Sequence, residues 1–269
     1  MAICSPTAYI KAVDCGNTVI VRHCPFEPPE ESRVQRLDER HYLVKSSGEV
    51  RRYSPKSEVK GDNLRSVRQS FNRLKTLINA NVDGNDRIRY ITLTYAENMT
   101  DNSRISRHME SFFRRMRGLY GGFEYIYVKE RQGRGAWHMH CVLFFDREAP
   151  YMPNTEADHP VRDAWGRGWV NVRGFCGDVN NLGNYLCAYL TDDEATGKKG
   201  ARLANYESNI RLYNCSKGIR RPTEARITWD DYAEYASSPN VYLVSEAETS
   251  FLAGECGRAR SVTQIFIER

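Results

Sequence analysis

The stretch FEYIYVKERQGRGAWHMHCVLFF, residues 123–145, limits the fold more than any other part of the chain. Two runs rich in aromatic and β-branched residues, 123–130 and 136–145, flank the glycine-bearing RQGRG, and this pattern predicts an antiparallel hairpin. Alternate side chains of a strand share a face, so His138 and His140 project together while Met139 and Cys141 point the other way. A three-residue loop centred on Arg134, with Gly133 and Gly135 supplying positive φ, sets Glu130 opposite His138; an even-numbered loop turns Glu130 to the other face. Two imidazoles and one carboxylate leave coordination positions open, which suits a catalytic Mn2+ or Mg2+ and admits Zn2+. The plainer reading of His-Met-His is a half-buried strand that happens to carry two histidines, and that of Glu130 is a solvated charge at a strand end.

Around this hairpin the periodicity changes. Leu64, Val67, Phe71, Leu74 and Ile78 recur at spacings of three and four, the mark of an amphipathic helix, and RIRYITLTY (87–95) alternates as a strand does. DNSRISRHMESFFRRMRGLYGG then places Ile105, Met109, Phe112 and Met116 on one side and stops at Gly121 and Gly122. Residues 146–166 read as a loop, GWVNVRGF as an edge strand and NNLGNYLCAYLTDD (180–193) as a helix. The order helix, strand, helix, strand, strand predicts an α+β fold, an antiparallel sheet with flanking helices on one face and the other face free to work. Residues 1–60, punctuated by PFEPPEE and RRYSPKSEVKGD, read as an irregular appended segment, residues 61–222 as the main domain and 223–269 as a C-terminal extension.

Composition excludes several classes. At 269 residues and 41% apolar content the chain can bury a core of its own. No run approaches the length of a membrane span, and Lys11 and Asp14 stand where a signal peptide would keep an apolar segment, so a soluble cytoplasmic protein is expected. Its 39 basic and 34 acidic residues give a net charge of +5, which is compatible with a polyanionic partner. Eight scattered cysteines do not form a disulfide framework; Cys4, Cys15, His23 and Cys24 could supply a Zn2+ site.

RYITLTY, WHMHCVLFF and YLCAYLTDD, in that order, resemble the first, His-hydrophobic-His and tyrosine motifs of the HUH endonucleases. More narrowly they are similar to the rolling-circle replication initiators of small bacterial plasmids and of single-stranded DNA phages of Microviridae type, which also carry paired tyrosines and a stretch like YNCSKGIRRP. The resemblance covers roughly residues 62–222. It implies an RRM-like core, a divalent metal on Glu130, His138 and His140, and nicking of one origin DNA strand. A tyrosine then stays joined to the new 5′ phosphate and a 3′ hydroxyl is left for a polymerase.

The residues make sense of that chemistry. A metal polarises the scissile phosphate, and a phenol, once deprotonated, keeps the phosphate bond in a covalent intermediate. Tyr185 and Tyr189, four residues apart, would share a helical face and could take turns at one site; otherwise they are two core aromatics. The lysine that commonly follows the family's tyrosine by three positions is replaced by Ala188 and Asp192, and Lys198, Lys199 or Lys217 could substitute. Thr92 and Thr94 would lie near the scissile site or simply fill a strand. Arg114, Arg115, Lys217, Arg220 and Arg221 are candidates for phosphate contact, and Tyr125, Tyr127 and Trp137 for stacking on unpaired bases. No GxxxxGK[ST] loop occurs, so unwinding would fall to a host helicase acting in the bacterial cytoplasm. The alternatives are a relaxase or transposase of the same superfamily, and a non-catalytic nucleic-acid-binding module of RRM type.

Overall fold

The computed structural model describes residues 3–4, 8–16, 18–26, 34–45, 47–54, 58–60, 64–133, 135–174, 206–252 and 258–268. Contacts divide the chain into two compact units, one of residues 57–222 with 15–17, the other of residues 1–14, 18–56 and 223–269. The class is α+β with antiparallel sheets.

Residues 1–60 are not irregular. Their described parts form β1 (Ile3–Cys4), β2 (Tyr9–Asp14), β3 (Thr18–Cys24) and a separate meander of β4 (Val34–Arg36), β5 (His41–Val44) and β6 (Glu49–Arg52). The proline-rich stretch between β3 and β4 dominates the sequence signal, yet YIKAVD and TVIVRHC alternate as strands should.

The larger unit is built on a five-stranded sheet. Helix α1 (Leu64–Asn79) leads into β7 (Ile88–Thr94), α2 (Asn102–Tyr120), β8 (Glu124–Arg131) and β9 (Trp137–Phe144). Then come the short helix α3 (Pro160–Trp165), β10 (Val170–Gly174) and β11 (Tyr213–Cys215). The strand order is β10-β7-β9-β8-β11, so the histidine-bearing β9 is central and β10 is an edge as expected. Asp101 caps α2 by accepting the Ser103 N–H, and Gly121 ends the helix at φ 79°, a conformation that favours glycine. The loop expected at 146–166 contains α3, whose signals stand in HPVRDAWG: Pro160 at the first turn, His159 as the cap and Gly166 in the left-handed region.

Helix α2 buries Ile105, Met109, Phe112, Phe113 and Met116 on one stripe. Each such side chain contributes roughly 1.5–3 kcal/mol relative to exposure. Phe113 stacks on Tyr125 with ring centroids 3.6 Å apart, so α2 covers the sheet face that carries Tyr125, Tyr127 and Met139. The histidines therefore occupy the opposite face. That face is not open along its length, because Ile126, Val128 and Val142, which lie on it, are fully buried in the same core as Leu74, Leu77 and Ile78 of α1.

The C-terminal residues are part of the other unit's sheet: β12 (Thr223–Ile227), α4 (Trp229–Ala236), β13 (Val241–Leu252) and β14 (Arg258–Glu268). β14 pairs with β3 and β12 with β2, giving the order β1-β14-β3-β2-β12 with β13 on β14. Ile10, Val21 and Phe266 form its small core, with Tyr232 and Tyr235 of α4 packed against it. The N-terminal segment and the C-terminal extension are thus one folded unit, joined by pairings that no local pattern can announce.

Candidate metal centre

The turn between β8 and β9 fixes the register. Glu130 pairs with His138 and Arg131 with Trp137; the Gln132 N–H then donates to the Ala136 carbonyl at 2.9 Å, leaving a three-residue tip at 133–135. Gly135 takes φ +85° there, whereas Gly133 does not adopt positive φ. This odd-numbered loop puts Glu130 on the histidine face. One donor atom each from Glu130, His138 and His140 lie within 4.8 Å of one another. Glu130, His138 and His140 are only 7%, 9% and 3% exposed, so this is a dry site rather than a solvated strand end.

Each imidazole is held from behind. The Tyr90 hydroxyl lies 2.5 Å from His140 Nδ1, and Thr94 Oγ1 lies 3.0 Å from His138 Nδ1. Both come from β7, whose register sets Thr94 opposite His138 and Thr92 opposite His140. Tyr90, one pair beyond, reaches His140 diagonally. A hydroxyl oxygen accepts as readily as it donates, so both rings can keep a proton on Nδ1 and direct the Nε2 lone pair at an ion. His140 Nε2 is 2.7 Å from Glu130 Oε2, a buried pair that shares a proton where a divalent cation would sit between them. Gln132 Nε2 is 3.1 Å from His138 Nδ1, and with the ring in its metal-binding tautomer that amide must turn its oxygen to Nδ1. Donors about 2.0–2.2 Å from one ion stand at most roughly 4.4 Å apart, so small side-chain rotations bring the observed set to that spread. The donor set fits a divalent metal.

Among the other sequence-predicted residues, Tyr185 and Tyr189 lie outside the described residues, as do Ala188, Asp192, Lys198 and Lys199. Arg114, Lys217 and Arg221 are exposed. Arg115 instead donates to the Ala164 carbonyl at 2.8 Å and ties α2 to the end of α3. Arg220 is also occupied, pairing with Asp83 at 2.6 Å while its N–H donates to Asn81 Oδ1. The expectation that Trp137, Tyr125 and Tyr127 stack on bases is overturned. Trp137 and Tyr127 are buried, Tyr125 is covered by Phe113, and the Trp137 indole N–H donates to the Thr100 carbonyl.

The proposed zinc set is also not one site. In the β2–β3 hairpin Asp14 pairs with Val19 and Tyr9 with Cys24, so Cys15 follows the turn end while His23 and Cys24 close the far end. Five strand positions span about 17 Å, beyond the reach of one ion. Cys4 lies in β1 opposite Ala259. Tyr90 and Gln132 were missed by sequence reasoning, and Thr94 was given no more than an even weight. The signal was present in RYITLTY, where Tyr90, Thr92 and Thr94 share a face, but only pairing with β9 gives that face a meaning.

Residues 88–194 match a family model of replication-associated proteins, the ORF2 type. The matched stretch, about two fifths of the chain, holds all of β7, β8 and β9 and the positions of both tyrosines. It is similar to replication-associated proteins. That similarity supports a part in DNA replication, within a rolling-circle initiator family. No curated protein and no solved structure matches the chain. No described helix is long and apolar enough to cross a membrane.

Proposed function

We propose that the protein initiates rolling-circle replication as a metal-dependent, single-strand DNA endonuclease and strand transferase of HUH type. The observation that carries this reading is the convergence of Glu130, His138 and His140 within 4.8 Å on one buried strand face. The replication-associated family match over the same strands supports it.

A Mn2+ or Mg2+ ion held by Glu130, His138 and His140 would draw charge from the non-bridging oxygens of the scissile phosphate and fix its orientation. The residues do the rest. Tyr90 and Thr94 hold the Nδ1 protons and so set the tautomer and aim of each ring. Burial keeps water from competing for the phosphate. The nucleophile is Tyr185 or Tyr189: its phenol oxygen forms a bond to phosphorus, the bond from phosphorus to the 3′ oxygen breaks, and the phenol proton ends on that 3′ oxygen. The products are a 5′-phosphotyrosine and a free 3′ hydroxyl for a DNA polymerase, with a host helicase opening the duplex. The exposed Arg114, Lys217 and Arg221 are placed to meet DNA phosphates.

Labelled single-stranded fragments of the protein's own replicon, incubated with and without Mn2+ and resolved on a denaturing gel, test this. The expected result is metal-dependent nicking and a covalent adduct that maps to Tyr185 or Tyr189. An adduct that persists in the Tyr185→Phe/Tyr189→Phe double variant, or cleavage at full rate in chelator, would refute it.

A further inference from the structure

A cleft on the outer side of α2 is lined by Arg104, Arg107, His108, Ser111 and Arg114, and by Arg167 from the segment between α3 and β10. One carboxylate, Glu110, also borders it. Arg104 lies 3.6 Å from Glu97, a weak pairing. Arg107, Arg114 and Arg167 make no side-chain ion pair among the described residues, so their charge is not neutralised by the protein. His108 is a buried member of this group, only 8% exposed. Its Nδ1 is bonded to the Tyr95 hydroxyl at 2.8 Å, and its other nitrogen, Nε2, has no hydrogen-bond partner among the described residues. A solvated basic face does not account for a buried ring with an unpartnered polar atom in the wall of a cleft.

The spacing suits a repeating anion. Arg104 to Arg114 covers ten residues of helix, about 15 Å, and one strand of duplex DNA presents about four phosphates in that length. The cleft also has a fixed relation to the metal centre. Tyr95, which anchors His108, directly follows β7, and Thr94 at the end of that strand holds His138. Cleft and metal centre therefore share one end of the sheet, with α2 on one face and the histidines on the other.

We infer that this cleft is a second nucleic-acid site, which grips the sugar–phosphate backbone of DNA flanking the scissile position as it turns round the end of the sheet. The inference rests on the proposed function for the identity of the polyanion. Arg107, Arg114 and Arg167 neutralise successive phosphates, and His108 Nε2–H donates to a phosphate oxygen while Tyr95 holds Nδ1. Contacts of this kind read no sequence, so the site binds single strands and duplex alike.

The test is fluorescence anisotropy with the full-length protein in EDTA, using a labelled mixed-sequence oligonucleotide, single-stranded and as duplex, over a range of KCl concentrations. The triple variant Arg107→Gln/Arg114→Gln/Arg167→Gln is expected to bind at least about tenfold more weakly and to lower the slope of log affinity against log salt by about 2–3. Arg73→Gln/Arg147→Gln/Arg173→Gln removes the same charge elsewhere on this unit and is expected to leave the slope near wild type. Thermal unfolding of both variants checks that the fold is intact. A slope unchanged in the cleft variant, or lowered equally in the control, overturns the inference. Because binding is read without metal or cleavage, a protein that nicks yet shows an unchanged slope refutes the cleft alone. A lowered slope in a protein that never nicks supports the cleft and refutes the nuclease.

Discussion

Two hairpins of this molecule carry metal-binding residue types, and only one assembles them. In β8–β9 the histidines are two residues apart and so share a face, and the register brings Glu130 across to them. In β2–β3 His23 and Cys24 are adjacent, so they leave opposite faces of the strand, and Cys15 lies at the other end. The rings are also held differently. His138 and His140 are gripped at Nδ1, which leaves the geometry of a ligand. His23 instead spends Nε2 on Gln264 Oε1 at 3.0 Å and packs edge-on against Tyr232 at 5.0 Å. Residue types alone do not make a metal site; period, register and the atom that neighbours occupy decide it.

The strongest way to break this contrast is to remove the ligands. His138→Gln/His140→Gln is expected to abolish Mn2+-dependent nicking and to lower Mn2+ affinity by more than about 100-fold, since two of three donors are lost. Calorimetric titration and the cleavage gel read the two effects. Glutamine is preferred to alanine because Tyr90 and Glu130 would otherwise be left unpaired in a buried setting, at about 1–3 kcal/mol each. The contrast collapses if His23→Ala in the other hairpin has the same effect on metal binding.

A smaller loss is expected from the groups behind the rings. Tyr90→Phe and Thr94→Val each keep the shape and remove the oxygen at Nδ1, and either is expected to weaken Mn2+ binding by roughly 10–100-fold. Unchanged affinity in both would show that the hydroxyls only pack.

Much of this site was legible because it depends on local rules. Gly133 and Gly135 bracket a short tip, the hairpin register follows from its length, and side-chain alternation then places Glu130, His138 and His140 without any long-range information. The amphipathic stripes of α1 and α2 were readable for the same reason. The illegible parts are those set by distant pairing. Tyr90 gains its role only when β7 lies beside β9, and β3 finds its neighbour β14 more than 200 residues later. Tyr125 and Tyr127 were misread because two-period alternation tells which residues share a face, and nothing about which face a helix will cover.

In the β2–β3 hairpin the expected effect is on stability. His23→Ala removes the bond to Gln264 and the contacts with Trp229 and Tyr232, and should cost about 1–3 kcal/mol. Thermal unfolding measures it, with Mn2+ affinity unchanged. A variant as stable as wild type would remove the structural role assigned to this ring.

The smallest effect belongs to a third buried histidine, which lies between these two cases. His108 has Nδ1 tied to Tyr95, as the metal ligands are tied to hydroxyls, but cations surround it instead of a carboxylate. Burial, then Arg167, Arg104 and Arg107, push its pKa below the usual histidine value. Between that lowered pKa and about 6.5 the unfolded chain binds a proton that the folded chain refuses, so stability falls as pH drops through this window. His108→Gln has no such titration. The stability gap between wild type and variant is therefore expected to be largest above about pH 7 and to narrow toward pH 5. A polyanion in the cleft would favour the protonated ring, so adding DNA should reduce the narrowing. A gap that stays constant across the range would mean that His108 titrates equally in both states, and the ring would then rank with ordinary solvated histidines rather than with the buried pair on β9.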